Sequence, residues 1–375
     1  MILTPTELTR RHIRRAQYVS CNDAFIDVRL PGSTPKENYS IIGPGVTQNA
    51  SQVINLREPH GFNIGAAGMA SGITNNLHLH FTSEVFIACE GTFTLRWGAK
   101  GDEGEAVLEE GDVICMPTWM FRGFSNSGSR HGFLMTVLGG DDTGGIIWSP
   151  EVMRRARATG LYLSRDNQLI DVPAGSAPPA DESLLPLMPP EEVAALRRWS
   201  AAELMDRCVR PAQRDFRPAT LDTALPGHAW QLAPFIGWGI SKHREHRPAV
   251  TDPQGFSVDG LKVPAGQRSA AFQLAEAAVL VHADGPLAVA FNLGADAVRA
   301  ELGPWDTLSM PPGCWRQLIN HGSHDAHALL VVAGDARKTP QFDAAVHAAA
   351  TRVDMTLDAG GRLARKSLLP PAMTV

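Results

Sequence analysis

The chain has 375 residues, long for one domain and comfortable for two, and 44% of them are hydrophobic, enough for two sizeable cores. A formal net charge of -5 gives no basic footprint, so nucleic acid is excluded as the expected partner. Five scattered cysteines, at 21, 89, 115, 208 and 314, form no C-x-x-C pair, which argues against both a disulfide framework and a thiolate zinc site.

In chain order, residues 1–50 read as an N-terminal extension with short apolar pieces. Its first fifteen residues are polar and resemble neither a signal peptide nor an anchor. No stretch of the sequence is long and apolar enough to span a bilayer, so a cytoplasmic protein without a membrane partner is expected. From 51 to 145 short apolar or alternating runs, such as 52–56 and 61–69, are punctuated by Gly, Asn and Pro, the pattern of strands and turns. Residues 146–230 read as a helical, Pro-rich connector. A short helix is expected over 151–158 and helical spacing over 191–209, the latter just behind Pro189 and Pro190. Strand-like runs resume over 231–337, opening near a short basic run, Lys242-His243-Arg244-Glu245-His246-Arg247, that reads as a solvated loop. A closing helix over 342–352 and an arm make up 338–375.

The two β regions repeat one another. At an offset of 194 residues Gly72 meets Gly266, Gly91 meets Gly285, Asp112 meets Asp306, Pro117 meets Pro311, Arg122 meets Arg316 and Asn126 meets Asn320. Most of the matched types fix backbone shape, as two copies of one β-fold would retain.

The chemistry concentrates in the first copy, in Gly72-x5-His78-x-His80-x3-Glu84-x6-Gly91. Strand alternation puts His78 and His80 on one face, and Glu84 joins them if the strand continues or if a tight turn at Thr82-Ser83 brings it back. Two imidazoles and a carboxylate form a facial triad that leaves coordination positions open on an Fe(II), Mn(II), Zn(II) or Ni(II) ion. In the second copy the aligned residues are Phe272, Leu274 and Ala278, so that half is expected to hold a filled core and no metal.

Here the sequence resembles the cupin superfamily. Its first motif, G-x5-H-x-H-x3,4-E-x6-G, is matched at every position, and its second in part, by Gly111, Pro117 and Asn126. Trp119 stands where the second motif has Gly, and Arg122 where it has the last histidine ligand. The resemblance implies an all-β protein of two double-stranded β-helix (jelly-roll) barrels in one chain. Size and layout are similar to the gentisate and salicylate dioxygenase group, which implies Fe(II) as the metal, oxygen as co-substrate, a small aromatic carboxylic acid as substrate, and a homo-oligomer in which the second barrel serves for packing. The alternatives are a non-redox isomerase, lyase or hydrolase using the ion as a Lewis acid, and a non-catalytic binder of a small ligand. Two uses are open to Arg122, which stays protonated and cannot ligate. It clamps the substrate carboxylate, with Trp119 and Phe121 as apolar wall, or it pairs with Glu84 in a metal-free barrel. His131 is a candidate substitute ligand, and His321, His324 and His327 form a weaker histidine cluster.

Overall fold

The computed structural model describes residues 1–370. It divides into two compact units, one of residues Tyr18–Pro211 and one that joins Met1–Gln17 to Ala212–Val375. Each unit is a pair of mainly antiparallel sheets wrapped around its own core, the jelly-roll barrel expected from the strand pattern.

The repeat is visible strand by strand. Phe62–Met69, Glu84–Glu90, Phe93–Trp97, Val113–Met116 and Gly132–Gly139 have counterparts 194 residues on, at Phe256–Val263, Ala278–Asp284, Leu287–Phe291, Thr307–Met310 and Ala326–Ala333. Pairing is repeated as well: Phe62 lies opposite Gly139, and Phe256 opposite Ala333. Asn126 and Asn320 close the same turn in the two copies, each donating from Nδ2 to two backbone carbonyls and accepting the N–H of the glycine two residues on, Gly128 and Gly322. The motif's asparagine is thus a turn-closing residue in this chain.

In the first unit an eight-stranded sheet faces a five-stranded one, and the expected ligands lie between them. The larger sheet includes Lys36–Ile42, which pairs with Phe62–Met69, so part of the apparent N-terminal extension is barrel wall. The first seventeen residues behave differently. A helix Pro5–Arg11, started by a Thr4/Glu7 capping box, leads into His12–Ile13, which pairs antiparallel with Leu308 and Thr307 of the second unit. His12 Nε2 and Asp306 Oδ2 are 2.8 Å apart, and Arg11 donates to Ser309 at 3.0 Å.

The connector helix runs over Pro150–Ala158, capped by Ser149. The helical spacing seen over 191–209 resolves into two short helices, Pro190–Ala195 and Ala201–Met205. Leu196 leaves the first in an extended conformation, and Ser200 with Glu203 forms a new capping box that restarts the chain. The closing helix is Ala344–Arg352, begun by the Asp343 side chain at its N-cap.

The second barrel is filled. Phe272, Leu274 and Ala278 are 2%, 1% and 0% exposed within a continuous apolar core, and Trp230 stacks on Phe272 with ring centroids 5.7 Å apart. Among the described residues the His78, His80 and Glu84 group is the one cluster of three or more side chains arranged to hold a metal ion.

Candidate metal centre

His78 lies in strand Thr74–Leu79 and His80 one residue beyond its end, both on the face turned into the barrel. Phe81, Thr82 and Ser83 turn the chain, and Glu84 opens strand Glu84–Glu90, where it pairs in register with Met116 and Leu138. The return across the turn, rather than a continued strand, therefore brings the carboxylate to the histidines. All three are buried, and their ligand atoms lie within 4.8 Å of one another. His80 Nε2 is 3.7 Å from Glu84 Oε2.

Protonation follows from the partners. His78 Nδ1 is 2.7 Å from the Asn76 carbonyl, and His80 Nδ1 is 3.3 Å from the Gly145 carbonyl. A carbonyl only accepts, so each Nδ1 carries the proton and each Nε2 keeps its lone pair. Burial and the nearby Arg122 charge pull His78 down to about 3 and His80 well below the ordinary histidine range, which keeps both rings neutral. A neutral imidazole that donates Nδ1–H to a carbonyl and presents Nε2 is the state a metal requires of a histidine ligand. The donor set of two such nitrogens and a carboxylate oxygen therefore fits a divalent transition metal.

Arg122, fully buried on strand Arg122–Asn126 and paired in register with His78, turns toward Glu84. Its Nε and Nη2 donate to Glu84 Oε2 at 3.1 and 2.9 Å, and its Nη1 to the Met120 carbonyl at 3.1 Å. Oε1 of Glu84 takes no hydrogen bond from the described residues. Burial pushes the Glu84 carboxyl up and the Arg122 guanidinium opposes that rise.

Behind His78 sits a second buried ion pair. Lys36 Nζ donates to both oxygens of Asp27 at 2.8 Å and to Asn75 Oδ1 at 2.5 Å. Asp27 also accepts from the Asn76 backbone and side chain, each at 3.1 Å. The pair thus holds the Asn75-Asn76 segment whose carbonyl sets the His78 tautomer. Counting charges, Glu84 balances Arg122 and Asp27 balances Lys36. With the half-exposed Glu37 carboxylate also on the cavity wall, a divalent ion would leave about one to two positive charges in excess, a field that draws an anionic co-ligand.

The cavity that His78, His80 and Glu84 line has a volume of about 50 Å³ and is also walled by Lys36, Tyr39 and Phe124. One water occupies about 10–15 Å³ on this measure, so there is room for only a handful of non-hydrogen atoms.

No protein-family model matches the sequence, and no curated protein matches it by sequence. By structure the chain is similar to an oxalate decarboxylase from Lactobacillus farciminis in its formate complex, with 9% identity, 88% of each chain covered and a TM-score of 0.52. It is similar to a vicilin from Corylus avellana (11% identity, 88% of this chain and 87% of that one, TM-score 0.50). A Bacillus subtilis oxalate decarboxylase gives 10% identity over 88% of this chain and 78% of that one, with a TM-score of 0.51. The chain has a bicupin fold. At these identities the likeness is one of fold.

Two residues expected at the substrate, Trp119 and Phe121, do not reach the bicupin's cavity. Trp119 is 46% exposed and packs edge-on against Phe81 at 5.4 Å. Its φ of 56° is the left-handed conformation that the motif's glycine adopts without strain, and Gly313 in the second copy has φ 66°. Phe121 is buried with Leu79 and Met188, because strand alternation sends it away from the cavity when Arg122 points in. Arg122 points in but donates to Glu84 and to the Met120 carbonyl, the pairing that was the second of its two expected uses. His131 is half-exposed and pairs with Glu37 at 3.2 Å, and His327 pairs with Asp284 at 2.8 Å, so neither joins a metal cluster. Lys36, Asp27 and Asn75-Asn76 carried no signal in the sequence. Their roles arise from contacts across strands that are distant in sequence.

Proposed function

We propose that the N-terminal barrel is the active site of a metal-dependent enzyme acting on a small carboxylic acid, with one divalent transition metal held by His78, His80 and Glu84. The observation that supports this most strongly is the pair of neutral imidazoles presenting Nε2 toward a buried carboxylate. When bound, such a metal supplies open coordination positions and, as Fe(II), oxygen chemistry. The first reading is accordingly an oxygenase.

The chain's own residues prepare the site. Asn76 and Gly145 orient the imidazoles, and Arg122 fixes the Glu84 carboxylate from behind. The excess positive charge favours an acid bound as its anion. The small cavity selects against a two-ring acid and favours one of a few carbon atoms. Oxalate, the substrate named for two of the fold neighbours, is an acid of that size.

The cavity volume also supports a second reading, in which the acid alone occupies the metal and a non-redox bond cleavage follows with the ion as Lewis acid. One experiment separates the two. The protein is reconstituted anaerobically with Fe(II), and oxygen uptake is followed with a panel of two- to four-carbon mono- and dicarboxylates and simple hydroxybenzoates. Substrate-dependent oxygen consumption supports the oxygenase. Turnover without oxygen supports the Lewis-acid enzyme. No turnover with any acid, under either condition and with Fe(II) or Mn(II), overturns the enzymatic proposal.

A further inference from the structure

The basic run is a loop whose Arg244, Glu245 and Arg247 are exposed, as its composition suggests, but Lys242 and His246 within it are buried. Lys242 is 3% exposed and its ammonium makes one hydrogen bond, to Thr339 Oγ1 at 2.6 Å. An ammonium carries three donors, and no carboxylate among the described residues lies within ion-pair distance of this one. Burial, and then the neighbouring Arg337 and Arg362 charges, lower Lys242 to about 8, with Glu276 opposing from further away. The two guanidiniums flank the Trp238 ring, at 4.6 and 5.8 Å from its centroid. Arg337 donates to the Ser241 carbonyl at 3.1 Å, and the Leu363 N–H donates to the carbonyl of Lys242 at 3.0 Å. The Lys242 ammonium is thus buried without a carboxylate of the described residues within ion-pair distance, in the positive field of Arg337 and Arg362.

Buried charge without a partner is costly, and the surrounding structure shows where a partner would sit. Lys242 and Thr339 form part of the wall of a pocket of about 350 Å³, together with Gln341. Leu221, Phe342 and Leu357 supply an apolar side to the same pocket. A polar, cationic end and an apolar body describe a complementary ligand.

We infer that this pocket binds a small organic anion, its carboxylate or phosphate seated on Lys242 and Thr339 and its apolar part against Leu221, Phe342 and Leu357. The site lies in the C-terminal unit, beside its filled barrel core, and does not depend on the reading of the N-terminal barrel.

The test uses the full chain carrying His78→Ala and His80→Ala, so that the N-terminal cavity contributes no metal-dependent binding. Benzoate and phenyl phosphate are titrated by calorimetry. Saturable binding of one of them identifies the headgroup chemistry. Lys242→Met, which keeps the volume of the buried stem, is expected to weaken that binding about tenfold or more, the equivalent of one charge-assisted hydrogen bond. Arg337→Gln and Arg362→Gln, which act only through their field, are expected to weaken it by a smaller factor, and added salt should reduce their effect. Absence of saturable binding for both probes overturns the inference. So does binding that is unchanged in both Lys242→Met and Arg337→Gln.

Discussion

Replacing Glu84 by Ala is the perturbation on which the structure makes its largest quantitative statement. The substitution removes the two hydrogen bonds that Arg122 Nε and Nη2 make, at 3.1 and 2.9 Å, and leaves a fully buried guanidinium with the Met120 carbonyl as its remaining contact. Breaking a buried pair on one side typically costs about 3–5 kcal/mol, because the surviving charge stays desolvated. At about 2–4 °C per kcal/mol for a unit of this size, the melting transition of the first barrel should fall by roughly 6–20 °C. Scanning calorimetry of the full chain in chelator measures this apart from any effect on metal. The double change Glu84→Ala/Arg122→Leu should recover most of the loss, since an apolar replacement of both partners is often neutral. The second barrel shows why the single change should be severe here. Arg316, its counterpart there, has no carboxylate partner among the described residues, but beside the Cys314 carbonyl, which matches that of Met120, it has the Pro311 carbonyl and the Phe272 ring at 5.9 Å, two contacts that Arg122 lacks. A loss below about 1 kcal/mol for Glu84→Ala would refute the reasoning that the pair is desolvated and self-contained.

Phe272→Ala should destabilise the C-terminal unit by about 3–5 kcal/mol in denaturant titration while leaving metal content unchanged, because Phe272 fills the place that His78 has in the first copy. Lys36→Met should weaken metal binding about 10–100-fold in a competition titration, by freeing Asp27 and the Asn75-Asn76 segment that orients His78; unchanged affinity would remove Lys36 from the site. Burial raises Asp259 to about 7 from its ordinary 3.8, so the native state binds the extra proton between those values and the group's contribution to stability falls as pH rises through that window. Asp259→Asn should therefore be more stabilising at about pH 8 than at about pH 4 in paired denaturant titrations, and the opposite order would contradict the assignment.

What was legible in the sequence was what depends on spacing. The 194-residue offset marked the chain as two copies of one β-fold, and the strands recur at that offset because glycines, prolines and turn asparagines, as at Gly91 and Gly285 or Asn126 and Asn320, fix where a β-chain folds back. The H-x-H pair was readable from strand alternation. The direction of Arg122 was not. Sequence placed it opposite the metal ligands, but whether a guanidinium reaches a substrate or a neighbouring carboxylate depends on the distance to Glu84, which only the packed barrel sets. Phe121 misled because a residue beside an inward-facing one points outward and the strand's phase was unknown, and Trp119 because it sits in the turn before that strand, in a left-handed conformation that leaves it exposed. The first seventeen residues gave no sign that they pair with Thr307 and Leu308, since two-residue pairing leaves no periodic trace. Lys242 looked solvated because charge runs usually are, and its burial comes from the distant segments around Thr339 and Leu363.

The central claim is that His78, His80 and Glu84 hold a metal ion. Elemental analysis of the full chain, purified without chelator and without an affinity metal column, tests it most directly. The account predicts about one transition-metal ion per chain, lost in His78→Ala/His80→Ala and retained in Phe272→Ala. A protein that carries no metal as purified and takes up none on anaerobic incubation with Fe(II) or Mn(II) would contradict it, and would leave the Glu84–Arg122 pair as the closed salt bridge of a barrel without a metal.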